Sequence, residues 1–272
     1  MGSYDPYSFL RRETLENVKW QHVGGAHVDP ELLNGGAYYA PVFRYMPGSP
    51  EASELIEKRR MRFDHPTRWP DRYEHFVNQE LFAREAPFGN MAIYAKCFTF
   101  HFAAEAFWRI NAGRVRLAFT SLQGLVEALA GADPVGGGVA PKLFVGRVRY
   151  MEQSHLRAAI LKTQMTPPKA VSSYAAEAVL MKRIGFFHEN EIRVFYVGNG
   201  PVNEQRSLDI ELTDPAPIED VLIGPYQPPG QEGPLSQHFS YAEVSAAAVK
   251  HGIHVSRSAF NLESGRDRRV VV

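Results

Sequence analysis

Two carboxylates one residue apart, Glu189 and Glu191, are the side chains best placed to do chemistry in this chain. Arg193 follows two positions later, and Lys182-Arg183 stand just upstream. The acids lead into Ile192, Val194, Phe195, Tyr196 and Val197, a β-branched and aromatic run that predicts a strand. Alternate residues of a strand share a face. Glu189, Glu191 and Arg193 are therefore expected on one side, with Ile192 and Val194 on the other. A solvent-facing ladder of alternating charge gives the same pattern. A strand this apolar, however, belongs in the middle of a sheet, where acids need a cation, a donor or a substrate. Acids at a strand entrance beside a lysine are also what a metal-dependent nuclease uses, and Glu189, Glu191 and Lys182 imitate that set.

The remaining elements are expected to build a sheet around this stretch. Leu32-Leu33-Asn34-Gly35-Gly36 reads as the end of a short helix with glycine stops, and residues 37–42 as a strand. Residues 46–50, with two prolines, read as a turn. Residues 51–62 form a polar helix whose Lys58, Arg59, Arg60 and Arg62 are either solvated or able to touch phosphate. Residues 71–86 read as helix and 91–100 as a strong strand. A helix over 103–110 carries Glu105, Trp108 and Arg109. Residues 115–120 form a strand, and Ser121 caps an amphipathic helix over 122–130. A strand over 143–150 carries Arg147 and Arg149 on one face. A helix over 170–183 leads to the acids. Short strands follow at 208–212, 221–223 and 253–255, with a helix over 240–251. The elements mix without strict βαβ alternation, which predicts a single α+β domain over 1–272. Residues 1–25 and 261–272 are its peripheral extension and tail.

Composition narrows the function classes. The chain has 272 residues, 44% of them hydrophobic, enough for a substantial core. Its 30 basic and 30 acidic residues cancel, so no global charge points to nucleic acid or an acidic membrane surface. The single cysteine, Cys97, can form neither an internal disulfide nor a cysteine metal cluster, which fits a reducing, cytoplasmic setting. Its apolar flanks predict an inert core thiol. Residues 1–12 lack the apolar segment of a signal peptide. No run reaches the roughly 18 apolar residues of a membrane span. The ten histidines show no metal-ligand spacing, so no metal is expected. A Gly-x-Ser-x-Gly elbow is absent, and Gly136-Gly137-Gly138 lack the lysine of a phosphate-binding loop.

Several stretches, in order, resemble the domain of unknown function 2971 family of bacterial and phage proteins. They are residues 33–40, 46–53, Cys97-Phe98-Thr99 with Trp108, 115–121, Gly146-Arg147-Val148-Arg149-Tyr150, 218–225 and 255–258. Lys182-Arg183 with Phe187-His188-Glu189-Asn190-Glu191-Ile192-Arg193 is the closest match. Coverage runs from about residue 30 to 260. The chain departs from the family at Gly48, where the family has an acid, and at Ala103-Ala104, where it has Glu-Ser. Ser121 stands for its second threonine.

The motif order is more loosely similar to the ADP-ribosyltransferase fold, a split, mixed or antiparallel sheet around a cleft for NAD. That similarity implies an NAD-consuming enzyme of a bacterial or phage conflict system, with NAD as substrate and a protein or nucleic acid as acceptor. A partner protein of the same operon is implied too. Tyr38 or Tyr39, Thr120-Ser121 and Glu189-x-Glu191 would take the places of the cofactor-binding and catalytic groups. Cleavage at the nicotinamide bond develops positive charge on the ribose, which a carboxylate stabilises. Glu191, deeper in the apolar run, is expected to carry that role and Glu189 to handle the acceptor. Arg109, Arg183 or Arg193 would hold the pyrophosphate, and Trp108 or Tyr39 would stack on a ring. The alternatives are that Trp108 is a core residue and Arg193 an ion-pair partner of Glu189 or Glu191. The chain would then be a non-catalytic binding or sensing module of a phage-defence or toxin system.

Overall fold

The computed structural model describes residues 18–46, 51–69, 74–83, 88, 91–102, 107–108, 115–132, 141–165, 171–198, 203–212, 217–224 and 241–257. The described strands are β1 (Gln21–Val23), β2 (Ala26–Val28), β3 (Val42–Met46), β4 (Arg60–Asp64), β5 (Ala92–Thr99), β6 (Val115–Phe119) and β7 (Lys142–Arg147). They continue as β8 (Arg149–Met151), β9 (Met181–Arg183), β10 (Glu191–Gly198), β11 (Ser207–Glu211), β12 (Ile218–Ile223) and β13 (His254–Arg257). The described helices include α1 (Pro30–Asn34), α2 (Glu51–Lys58), α3 (His75–Phe82), α4 (Leu122–Ala130), α5 (Gln153–Met165), α6 (Val171–Val179) and α7 (Tyr241–Lys250).

Eleven strands make one mixed sheet, ordered β1-β2-β7-β10-β5-β3-β6-β12-β13, with β4 and β11 branching from β5. β8 and β9 form a separate parallel pair. The architecture is α+β, as the irregular element order predicts. β10 is central: it pairs antiparallel with β5 along its whole length and with β7 on its other edge. Its continuous apolar run follows from burial on both faces. Ile192, Val194 and Tyr196 pack into a core with α1, α2, α4 and α7, whereas Phe195 and Val197 face α3, α5 and α6. Glu191 and Arg193 share the parity of Phe195, so they lie on the α3, α5 and α6 side.

The sheet splits at β5. Its free edge meets β3 at a single bridge, Phe43 with Thr99, and β4 at another, Asp64 with Ala95. Between the bridges, side chains replace strand partners. Arg44 donates to the Cys97 carbonyl at 2.8 Å, and the Lys96 ammonium donates to the Arg62 carbonyl at 2.5 Å and to the Glu51 carboxylate. Burial sets the Lys96 ammonium down to about 8. Burial opposes ionisation of Glu51, but Lys96 and Arg44 outweigh it and hold its carboxyl at about 2.

The structure corrects several local expectations. Residues 37–39 form a 3₁₀ turn, and the strand starts only at Val42. The polar helix ends at Lys58, so Arg60 and Arg62 belong to β4. The expected strand 143–150 breaks at Val148 into β7 and β8. The helix expected over 170–183 stops at Val179 and yields to β9. Of residues 1–25 only 18–25 are described; most are exposed, but Trp20 meets the rings of Phe144 and Phe195, and the Val18 N–H donates to Glu177. The tail 261–272 lies outside the described residues. Among those described, no helix is long and apolar enough to cross a membrane.

β1 and β2 form a hairpin through Gly24-Gly25, both with positive φ (57° and 81°), the pattern of a type I′ turn. A Cβ on Gly25 would lie 2.9 Å from that of Ala130. Gly25→Ala is expected to cost about 1–3 kcal/mol, read as a lower urea midpoint, because backbone strain and a clash with the Ala130 side chain combine.

Candidate functional site

The turn that delivers the acids is pinned by three contacts. Residues Ile184–Glu189 form a 3₁₀ turn, and Asn190 then adopts the left-handed region (φ 42°) that its short polar side chain tolerates. The Asn190 Oδ1 accepts from Arg147 at 3.1 Å. The Thr99 hydroxyl donates to the Glu189 carbonyl at 2.7 Å. The Glu191 N–H donates to the Tyr150 hydroxyl at 3.0 Å.

Around this turn lies a closed ionic network. The Lys182 ammonium reaches Glu74 at 2.6 Å, Glu189 at 2.7 Å and Glu191 at 2.8 Å. Arg193 donates through Nε to Glu191 at 2.7 Å, through Nη2 to Glu74 at 2.9 Å and through Nη1 to the Val179 carbonyl at 2.6 Å. Its guanidinium also stacks on Trp69 with 4.4 Å to the ring centre. Among the described residues, three carboxylates thus meet two cations, which leaves one acid without a full counter-charge. Burial opposes ionisation of Glu191, but Arg193 and Lys182 overcome it and hold its carboxyl well below the usual range. At Glu189 burial wins, with help from the charge of Glu191, and the carboxyl is pushed up to about 7 despite Lys182. Glu189 is also the acid nearest solvent, with 15% of its side chain exposed against 4% for Glu191.

These shifts fix a pH dependence. Glu189 binds its proton more tightly folded than unfolded, so its contribution is favourable at low pH. That contribution is lost as pH rises from about 4.5 through about 7. Glu189→Gln should remove this fall, seen as a flatter curve of stability against pH in that window when denaturation is followed by circular dichroism.

The registers also show where the other expected site residues lie. Val42 pairs with Phe119, Phe43 and Glu191 both pair with Thr99, and Ile192 pairs with Arg147. Tyr38-Tyr39, Thr120-Ser121 and Glu189 therefore all lie at one end of the sheet. They do not share a face. Tyr38 is buried in the core that receives Ile192, and burial, with the charge of Glu127, raises its hydroxyl to about 12. Tyr39 is 61% exposed. Thr120 is exposed, and the Ser121 hydroxyl caps α4 by accepting from Gly124 at 2.9 Å. Trp108 packs with Phe43, Tyr45, Phe107 and Ala118, a cluster distinct from the ionic network. Arg183 stacks on Phe186. Arg109 lies outside the described residues. No family model, no curated protein and no solved structure matches the chain.

Cys97 is only partly covered, not fully buried as its flanks suggest. Its thiol nevertheless lies within the field of the Glu191 carboxylate. Burial, reinforced by that carboxylate, raises it far above the ordinary thiol range. Native protein should react slowly with an aromatic disulfide reagent at pH 8, and fully only after unfolding.

Tyr150, which the sequence shows only as the last residue of a strand motif, and Glu74, which has no signal in the sequence, complete the network. Glu74 lies 119 residues from its partner Arg193, in no motif with it. Lys182 is legible only as a neighbour of the acids. The Lys182 ammonium fills the point on which the three carboxylates converge.

Proposed function

We propose that this chain is an enzyme that cleaves or transfers at the N-glycosidic bond of a nucleotide such as NAD, with Glu189 as the carboxyl that meets the substrate. One observation carries the reading: Glu189 and Glu191 share one ammonium, yet one titrates near neutral pH while the other stays ionised. Paired carboxyls held in different states are how sites divide proton transfer from charge stabilisation in glycosidic chemistry. Glu189 would donate or accept the proton of the acceptor or leaving group. Glu191, wholly engaged, would position Lys182 and the turn, a reversal of the roles that depth along the strand suggests.

The gathering of Tyr38-Tyr39, Thr120-Ser121 and Glu189 at one sheet end supports the same reading, as does the split at β5. Both agree with what the resemblance to the ADP-ribosyltransferase fold implies. Arg183, beside Lys182, is the cation assigned to the pyrophosphate. The single cysteine fits a reducing, cytoplasmic setting, and the acceptor would be a protein or a nucleic acid.

The decisive experiment incubates the protein with NAD, alone and with protein, RNA and DNA acceptors, and measures nicotinamide release by chromatography. Release that depends on Glu189 is the expected result. Absence of both release and calorimetric NAD binding would overturn the proposal. A second reading, a non-catalytic binding or sensing module of a phage-defence or toxin system, has one observation in its favour. Both oxygens of Glu191 and all three nitrogens of Arg193 are already bonded within the protein. NAD bound without turnover, or no NAD bound at all, would favour that module.

A further inference from the structure

A second cluster of chemically competent groups lies at the far edge of the sheet. His254 on β13 is the cross-strand partner of Asp220 on β12, and its Nδ1 lies 2.8 Å from the Asp220 Oδ1. The other carboxylate oxygen accepts from Arg116 Nη2 at 2.7 Å. Arg116 is 2% exposed, and its second terminal nitrogen donates to the Phe102 carbonyl at 2.6 Å. Its guanidinium lies 4.5 Å from the centre of the Phe102 ring and 5.0 Å from that of Phe43.

The order of charges decides the state of the imidazole. The Asp220 oxygen 2.8 Å from Nδ1 accepts a hydrogen bond there, which places the ring's proton on Nδ1. That leaves Nε2 as the unprotonated nitrogen of the neutral ring. The His254 side chain is 70% exposed, so Nε2 is open to a ligand. Phe102, bound to the same guanidinium, is 63% exposed, an unusual state for a large apolar ring. A bare base and a bare aromatic face therefore stand around one buried cation. Next to them, the Trp108 Nε1 and the Arg116 Nε are buried donors without a hydrogen-bond partner. His254 stands on β13, five places from β10 in the strand order, roughly 24 Å at ordinary strand spacing, so the base is remote from Glu189, whereas the Phe102 end lies nearer, since Phe43 pairs with the Thr99 that also pairs with Glu191.

We propose that His254, oriented by Asp220 and Arg116 beside Phe102, is a general-base site for a planar aromatic ligand bearing an ionisable hydroxyl. The ring stacks on Phe102. The ligand O–H proton passes to Nε2, leaving an oxyanion and an imidazolium, with no other bond made or broken. Asp220 stabilises the imidazolium. The Asp220–Arg116 pair is neutral before the transfer, so the products are themselves a close ion pair.

The test uses 4-nitrophenol, whose anion absorbs where the neutral phenol does not, at a pH just below its own pKa. Wild-type protein should raise the phenolate band saturably and shift the Nε2 resonance of ¹⁵N-histidine-labelled His254 toward the protonated form. His254→Gln should abolish the increase. Phe102→Ala should weaken binding roughly threefold to tenfold, the scale of one lost ring stack. Glu189→Gln should change neither, which separates this site from the proposed nucleotide chemistry. A band that does not saturate, that survives His254→Gln, or binding without a phenolate band, each overturns the proposal. Both variants alter exposed side chains, and circular dichroism confirms that they fold.

Discussion

Arg193→Met is expected to destabilise the protein by about 3–5 kcal/mol, the cost of leaving buried carboxylates without their cation. Glu191 and Glu74 would then share Lys182 alone, the Val179 carbonyl would lose its donor, and Trp69 its stacked charge. The relevant magnitude is the desolvation of the charges left behind, not the attraction removed. Two buried acids cannot be rehydrated without opening the packing of α3 and α6 on β10. Neutralising the partners should therefore recover much of the loss. Adding Glu191→Gln and Glu74→Gln to Arg193→Met should give a smaller deficit than Arg193→Met alone, since removing a whole buried network is better tolerated than breaking it. Urea denaturation measures both. A cost below about 1 kcal/mol for Arg193→Met would mean that water enters the network and that Glu191 is not sealed.

Glu189→Gln is expected to lower nicotinamide release from NAD by about 10²–10³-fold, within the range seen when one catalytic carboxyl is lost. The fold should survive, because Glu189 is the least buried acid of the network and the one without a full counter-charge. Glutamine keeps the shape and can still accept from Lys182. Glu191→Gln should behave differently. It leaves Lys182 and Arg193 facing fewer carboxylates in a buried place, so activity and stability should fall together. The two variants thus separate a residue that acts on substrate from one that holds the site. A stable Glu189→Gln protein with full turnover would remove Glu189 from the reaction. A stable, inactive Glu191→Gln protein would restore the role that sequence depth suggests.

Much of the scaffold was legible because its signals are local. The cap at Ser121 and the apolar spacing of Leu122, Leu125, Val126 and Leu129 mark α4 to the residue. β5, β6 and β10 show as apolar runs because both of their faces are buried. The α+β class follows from the irregular order of such segments. The breaks were less legible. A stop at Val148, or the yield of α6 to β9, depends on the partner a backbone finds, and β8 exists only because β9 pairs with it.

The sequence by itself determined that Glu191 and Arg193 would share a face of a central strand, because a period of two is a property of the backbone. It also brought Lys182, only seven residues from Glu189, within reach of the acids. Only the tertiary structure decided what these charges do. Glu74 arrives from the N-terminal cap of α3, more than a hundred residues away, and makes the third carboxylate that the two cations cannot fully neutralise. Which acid keeps its proton then depends on distance to the cations and to water. Those distances are set by how α3 and the β8–β9 pair close over β10, a long-range packing that no spacing in the chain encodes.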